Sequence, residues 1–277
     1  LIHALVLLGC GGAEVCDEGQ VRSGGRCVDY APGPPVTAGD VWRPAPGTTW
    51  QWQLTGAVDT SLVVDMYDVD LFDVPDATLA DLAERAVVIC YFSAGSFEDW
   101  RPDAAAFPDD ALGDPLDGWD GEWWLDVTHP AVRAVMADRL DLAVARGCDG
   151  VEPDNVDGYA NRSGVGLNAT EQLEYNRFLA DEAHARGLSV GLKNDLDQAA
   201  ELAAWFDWAL NEECAAYDEC DVLSAFTGAG KAAFHVEYVD DFADAPALAD
   251  EVCGVGPDLD TLIKEWDLGP QRLACVQ

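Results

Sequence analysis

Basic residues are scarce in this chain. Fifteen Lys and Arg stand against fifty-two Asp and Glu, giving a formal net charge of -37. Such a surface repels nucleic acid and anionic lipid, so nucleic-acid binding is excluded, and it would attract a cationic polymer. A solvated acidic surface serving solubility or salt tolerance is the blander reading and the weightier one, because most of the charge must lie outside any cleft. Long apolar runs are also missing: past the first ten residues nothing approaches the ~18 uninterrupted apolar residues of a membrane span. The four His are scattered and no Cys-x-x-Cys pair occurs, so a zinc site lacks its ligands. Neither a Gly-x-Gly-x-x-Gly turn nor a phosphate loop is present, and no fixed-period repeat is evident. No metal and no cofactor is therefore expected, and a monomer is.

What is present is enough apolar residue for a large core: 49% of the chain is hydrophobic and ten residues are Trp. The start, Leu1 to Cys10, is a short apolar stretch ending Leu-Leu-Gly-Cys. It resembles a lipobox, with Cys10 as the lipidated residue and the only membrane contact; a buried N-terminal strand is the alternative. Setting Cys10 aside leaves Cys16, Cys27, Cys90, Cys148, Cys214, Cys220, Cys253 and Cys275. An even number suits an oxidising, extracytoplasmic location. Local pairing suggests Cys16 with Cys27, Cys214 with Cys220 and Cys253 with Cys275, leaving Cys90 for Cys148. The organisation expected is a leader over 1–10, a Cys-containing segment and Pro/Gly-rich extended tether over 11–47, and one catalytic domain over 48–277.

Within that domain short apolar strands alternate with amphipathic helices. Strands are predicted at 48–54, 61–67, 86–93, 148–154, 188–194, 206–212, 232–238 and 260–266. A helix over 130–146 starts at Pro130, places Val132, Val135, Met136, Leu140 and Val144 on one face and ends at Gly147; a second over 171–186 closes at Gly187. Eight strands with helical crossovers predict an α/β fold, a single (β/α)₈ TIM barrel, over a doubly wound open sheet with the same local signature.

In such a barrel chemistry collects at the C-terminal strand ends. Several predicted ends are acidic or aromatic, which nominates Asp65, Tyr67, Tyr91, Ser93, Trp124, Asn155, Asn194 and Tyr238 as substrate contacts. Strand alternation puts Glu152 and Asp154 on one side and Val151 and Pro153 on the other. If the apolar pair meets the helices, Asp154 sits at the mouth and Glu152 deeper, where Lys193 is the obvious partner, either as a structural ion pair or as a group that orients hydroxyls and holds Asp154 ionised. Glycosidic hydrolysis needs two carboxyls across the bond, and Asp154 with Glu212 fits. Glu213 faces away in a regular strand unless a bulge re-aims it, and Glu237 is the reserve. Core packing competes as the explanation of each aromatic, and calcium as that of the acidic clusters, although EF-hand spacing is absent.

Taken together, Ile89 to Ser96, Gly150 to Tyr159, Ala183 to Leu188, Asn211-Glu212-Glu213-Cys214 and Glu237-Tyr238 resemble glycoside hydrolase family 114. The resemblance implies a TIM barrel with endo-α-1,4-polygalactosaminidase activity on cationic, partly deacetylated galactosamine polymers. It further implies Asp154 and Glu212 as the catalytic pair. A retaining cleavage, with Asp154 as nucleophile and Glu212 as general acid and base, is the mechanism expected of two such carboxyls. Glu213 stands where the family commonly has Gln. Two rival readings are a carbohydrate-binding lipoprotein without turnover and an aldolase using Lys193 as a Schiff base.

Overall fold

The computed structural model describes residues 15–36, 39–256 and 258–275; the proposed lipidation at Cys10 lies outside them. Eight parallel strands run in chain order: β1 (Trp50–Gln53), β2 (Met66–Asp70), β3 (Val87–Ser93), β4 (Gly150–Asp154), β5 (Ser189–Lys193), β6 (Trp208–Glu212), β7 (Ala233–Val239) and β8 (Leu259–Glu265). Each pairs in parallel with its predecessor. A short antiparallel strand, Leu273–Ala274, adds to β8 and completes a nine-stranded curled sheet. No ladder joins β8 to β1. That seam is tied instead by the Trp50 indole donating to the Asp260 carbonyl at 2.9 Å, by Leu54 N–H donating to the Leu268 carbonyl at 3.1 Å and by Arg272 on the Trp50 carbonyl. The result is a TIM-like barrel.

Helices α1 (Asp76–Ala83), α2 (Pro130–Arg146), α3 (Ala169–Ala185), α4 (Ala199–Leu202), α5 (Ser224–Thr227) and α6 (Ala245–Val252) follow β2 to β7 in turn. Their starts obey local chemistry: His129 Nδ1 accepts the Ala131 N–H at the Pro130 turn, and Asn168 with Glu171 forms a reciprocal capping box on α3. Gly147 ends α2 in the left-handed region, as expected. Val144 does not join the buried face and is 46% exposed. The repeat is irregular at both ends, since among the described residues no helix separates β1 from β2 and β8 is followed by the antiparallel strand. Between β3 and α2 the chain makes a three-stranded antiparallel excursion, Ser96–Glu98, Leu112–Pro115 and Glu122–Leu125.

Two apolar layers result from strand alternation. Outward residues such as Val69, Cys90, Val151, Val190 and Ala209 pack beneath the helices. Inward residues Trp50, Met66, Ile89, Trp208 and Phe234 fill the lower half of the sheet's concave side, with Trp208 edge-on to Phe234 at 5.5 Å. Gly191 makes room for them, because a Cβ there would lie 2.2 Å from the Trp208 ring. All four expected disulfides are present.

Of the segment preceding β1, the described residues 15–36 and 39–49 lie on the domain. Its Cys16–Cys27 hairpin is fastened to α3 by Arg22, which meets Glu171 at 2.8 Å and Asp126 at 3.0 Å. Further on, the Val36 N–H donates to Asp181 and Arg43 pairs with Asp207. Among the described residues no helix is long and apolar enough to cross a membrane.

Candidate active site

At the C-terminal ends of the strands a cleft of about 880 Å³ opens. Alternation brings Asp154 from β4, Lys193 from β5 and Glu212 from β6 to its floor, with Glu152 one layer below. The Lys193 ammonium is 3.1 Å from Asp154 Oδ1, 3.1 Å from Glu212 Oε2 and 3.4 Å from Glu152 Oε1, and the Trp52 ring centre lies 4.7 Å away. Three carboxyls thus share one cation. Burial alone would lower the Lys193 pKa, but Asp154, Glu212 and Glu152 outweigh it and raise it well above the ordinary value. A charged lysine so committed is a poor Schiff-base nucleophile.

Each mouth carboxylate has its own donors. Asp154 accepts from the Tyr91 hydroxyl at 3.0 Å and from the Asn155 N–H at 2.7 Å. Glu212 accepts from Asn194 Nδ2 at 3.0 Å and from the Tyr238 hydroxyl in a short hydrogen bond. Burial pushes Glu212 up, yet Lys193, Tyr238 and Asn194 together hold its pKa below the ordinary 4.5. Tyr238 stacks on Trp266 at 4.1 Å, so its hydroxyl is aimed by the ring behind it. The backbone is strained here: Asn155, Asn194, Asp195 and Glu213, which follow β4, β5 and β6, all have positive φ, between 46° and 61°. That turn redirects Glu213, which lines the outer cleft rather than pointing at the helices. Gly95 permits the crowding, since a Cβ there would sit 1.7 Å from the Asn155 carbonyl oxygen.

Below the mouth lie Glu152 and Asp68, both fully buried. Glu152 accepts from the Trp52 indole at 3.0 Å. Desolvation raises its pKa to about 7 against the pull of Lys193, while the Asp154 charge adds to the rise. Desolvation likewise raises Asp68 well above its ordinary value, helped by Glu152. Neither Asp68 oxygen receives a hydrogen bond from a donor among the described residues, and the carboxyl faces Glu152. Two carboxyls in that contact hold together by sharing a proton.

The expected contacts Tyr91, Trp124, Glu152, Asn155, Lys193, Asn194 and Tyr238 therefore gather with Asp154 and Glu212 in or directly beneath one cleft. Four others do not line it. Strand β2 begins at Met66, not residue 61, so Asp65 lies at the opposite, N-terminal end of the strand and bonds Thr49. Tyr67 points outward, its hydroxyl donating to the Asp59 and Leu62 carbonyls. Ser93 is buried behind Asn155 and accepts its Nδ2 at 2.9 Å. Glu237 also faces outward, where it accepts the Ala215 N–H and pairs with His235 at 2.9 Å. Sequence reasoning missed the inward acids Asp68 and Asp70. It missed Arg101 too, which clamps Asp70 and Glu98 at 2.7 Å each. Asp195, raised by burial to about 8, also lines the cleft unforeseen. Strand parity, applied to β2, would have found the two inward acids; nothing local marks Arg101.

Comparison with known proteins fits this geometry. The sequence model of glycoside-hydrolase family GH114 matches residues 32–277. The crystal structure of Aspergillus fumigatus Ega3 in complex with galactosamine superposes with a TM-score of 0.82 at 42% identity, covering 88% of this chain and 100% of that one. The glycoside hydrolase domain of Pseudomonas aeruginosa PelA shares the fold, with a TM-score of 0.65 at 16% identity over 84% of this chain and 100% of its own. An uncharacterized protein of Deinococcus radiodurans is 30% identical over 236 residues, 72% of this chain and 73% of its own length. With a family match over nearly all the described chain, and a cleft floored by two carboxylates on β4 and β6 that flank Lys193 of β5, the protein belongs to family GH114 and is a glycoside hydrolase.

Proposed function

We propose that the enzyme cleaves α-1,4-linked galactosamine-type polysaccharide, cationic and partly deacetylated, by double displacement with retention of configuration. The observation that carries the mechanism is the shared ammonium. Asp154 and Glu212 each have an oxygen 3.1 Å from Lys193, so those oxygens are separated by no more than twice that distance. An approach this close admits the ~5–5.5 Å carboxyl spacing of retaining enzymes, and the proposed double displacement is built on it. Support for the substrate comes from galactosamine bound in Ega3 and from the -37 charge, which attracts a polycation.

In this reading Asp154 attacks the anomeric carbon while Glu212 protonates the departing glycosidic oxygen. A covalent glycosyl ester and a shortened chain result. Glu212, now a carboxylate, takes a proton from water, whose oxygen displaces Asp154 and restores both groups. Asn155 and Tyr91 hold the nucleophile, while Tyr238 and Asn194 hold the acid.

One observation favours exchanging the roles: Glu212 is held ionised, the form of a nucleophile. The pH dependence of kcat/KM separates the two. With Glu212 as the acid, kcat/KM falls as pH rises through its lowered pKa and the optimum is acidic; with Glu212 as nucleophile, it falls on the acid side of that value. Azide rescue gives an independent answer, a β-glycosyl azide from Asp154→Ala and an α-azide from Glu212→Ala if the roles are as proposed. For the pair itself, Asp154→Asn and Glu212→Gln should each lower kcat about a thousandfold or more with folding intact. Full activity in either would sink the assignment.

We further propose that the enzyme is a monomer working outside the cytoplasm, tethered by lipid at Cys10. The four disulfides support an oxidising compartment. Labelling with a fatty-acid probe should mark the parent and spare Cys10→Ser.

A further inference from the structure

The cleft does not end at the carboxylate pair. It continues over the antiparallel excursion, where Trp100 and Trp119 are 51% and 58% exposed. Two half-bare indoles on one wall of a cleft make an exposed apolar patch of the kind that marks a binding groove, and these two are held in place. Asp99 donates its N–H to the Gly121 carbonyl at 3.0 Å, and Glu122 donates to the Trp119 carbonyl at 3.2 Å. Gly121, at φ +91°, lets the Trp100 ring lie on the turn that carries Trp119, since a Cβ there would come within 3.0 Å of the ring. Arg101, fixed by Asp70 and Glu98, sits 6.0 Å from the same ring.

Acids share this wall. Asp117 lines it, and so does the nearly fully buried Glu122, whose carboxyl pKa burial raises to about 7 and which an adjacent ammonium would draw back to the charged form. Glu122 is oriented by the Ser96 hydroxyl at 2.7 Å, and Ser96 meets Ser93, which in turn holds Asn155 beside Asp154. The shelf is thereby hydrogen-bonded to the catalytic floor.

We propose that Trp100 and Trp119, with Asp117 and Glu122, form a distal subsite that stacks one hexosamine ring of the bound chain and takes its ammonium on carboxylate. The occupant follows from continuity with the cleavage cleft and from charge complementarity. An indole face receives the sugar's C–H face and also attracts an adjacent cation, so a free amine gains twice where an N-acetyl group gains once. The proposal rests on the galactosamine reading above.

The test uses the full chain and a ladder of α-1,4-galactosamine oligomers, free or N-acetylated. Trp100→Ala with Trp119→Ala should raise KM about tenfold to a hundredfold for long oligomers at nearly constant kcat. The parental kcat/KM should persist for oligomers too short to reach the shelf, and the Phe pair should restore most of the loss. Asp117→Asn with Glu122→Gln should erase the preference for free amine on long oligomers. Equal losses at every length, or none, overturn the subsite. Titration of the Asp154→Asn protein with the same oligomers keeps the two readings apart. Length-dependent affinity that vanishes with the two Trp supports the subsite even if the parent cleaves nothing, which would sink only the proposed activity. Affinity indifferent to both Trp overturns the subsite whatever the activity.

Discussion

Two glutamates touch the same ammonium and acquire opposite characters. Glu212 is 3.1 Å and Glu152 3.4 Å from Lys193 Nζ, yet the first is held below its ordinary pKa and the second rises to about 7. Charge proximity does not separate them; the remaining neighbours do. Glu212 keeps 26% of its side chain exposed and accepts from Tyr238 and Asn194. Glu152 has no exposure, one indole donor, and the carboxyls of Asp68 and Asp154 around it. Depth in the cleft and the donors met there thus turn one side-chain type from a working carboxylate into a partly protonated support.

Removing the shared cation breaks the comparison most severely. Lys193→Met leaves carboxyls facing one another without a counter-charge, and kcat/KM should fall about a thousandfold, within the range for losing a preorganised charge in an active site. A loss under about tenfold, measured with circular dichroism unchanged, would reduce Lys193 to a structural ion pair. Glu152→Gln should do far less. Because Glu152 is already partly protonated at neutral pH, the amide imitates much of its resting state; activity should drop about tenfold or less and the melting temperature should hold. A loss as deep as that of Asp154→Asn would move Glu152 into the catalytic set.

Strand parity makes much of this legible in the sequence, and where it is masked the site is not. Alternation in Gly150 to Asp154 placed Glu152 under Asp154 correctly because Val151 and Pro153 declare the outer face. The same rule excludes Tyr67 and Glu237, which share parity with outward Val69 and His235. The bounds of β2 are masked in the sequence because Asp68 and Asp70 look unlike core, whereas the upper inner surface of this sheet is polar. Glu237 resembles a catalytic acid until the chain folds, since its partners, the Ala215 N–H and His235, come from a neighbouring loop and its own strand's outer face. The four disulfides were readable from local pairing and elimination. Arg101, Trp100 and Trp119 lie in an excursion with no periodic signal, and only tertiary contact brings them to the cleft.

Tyr238→Phe sharpens the contrast between the glutamates from the other side. Loss of the hydroxyl removes a donor to the charged form, so the Glu212 pKa must rise toward that of Glu152. If Glu212 is the general acid, the alkaline limb of kcat/KM moves to higher pH while the maximum falls about tenfold. A limb that stays in place shows that Tyr238 contacts substrate without tuning Glu212.

The smallest expected effect is on stability, and it has a definite sign. Glu152 and Asp195 have folded-state pKa values of about 7 and about 8 against ordinary values of 4.5 and 3.8. Between the ordinary and folded values the native protein binds protons that the unfolded chain has released, so stability is fullest below the ordinary values and declines as pH rises through the folded ones. Glu122 and Asp260, each raised to about 7 mainly by burial, act in the same direction. The melting temperature should therefore fall between about pH 5 and pH 7, contrary to a protein whose carboxylates are mostly stabilised as anions. Asp195→Asn should flatten the slope, because an amide keeps the bond that Asn176 donates at 2.8 Å and has no proton to lose. A melting temperature that climbs over this interval would mean that the lower carboxyls are ionised in the fold, and Glu152 would then differ from Glu212 in position alone.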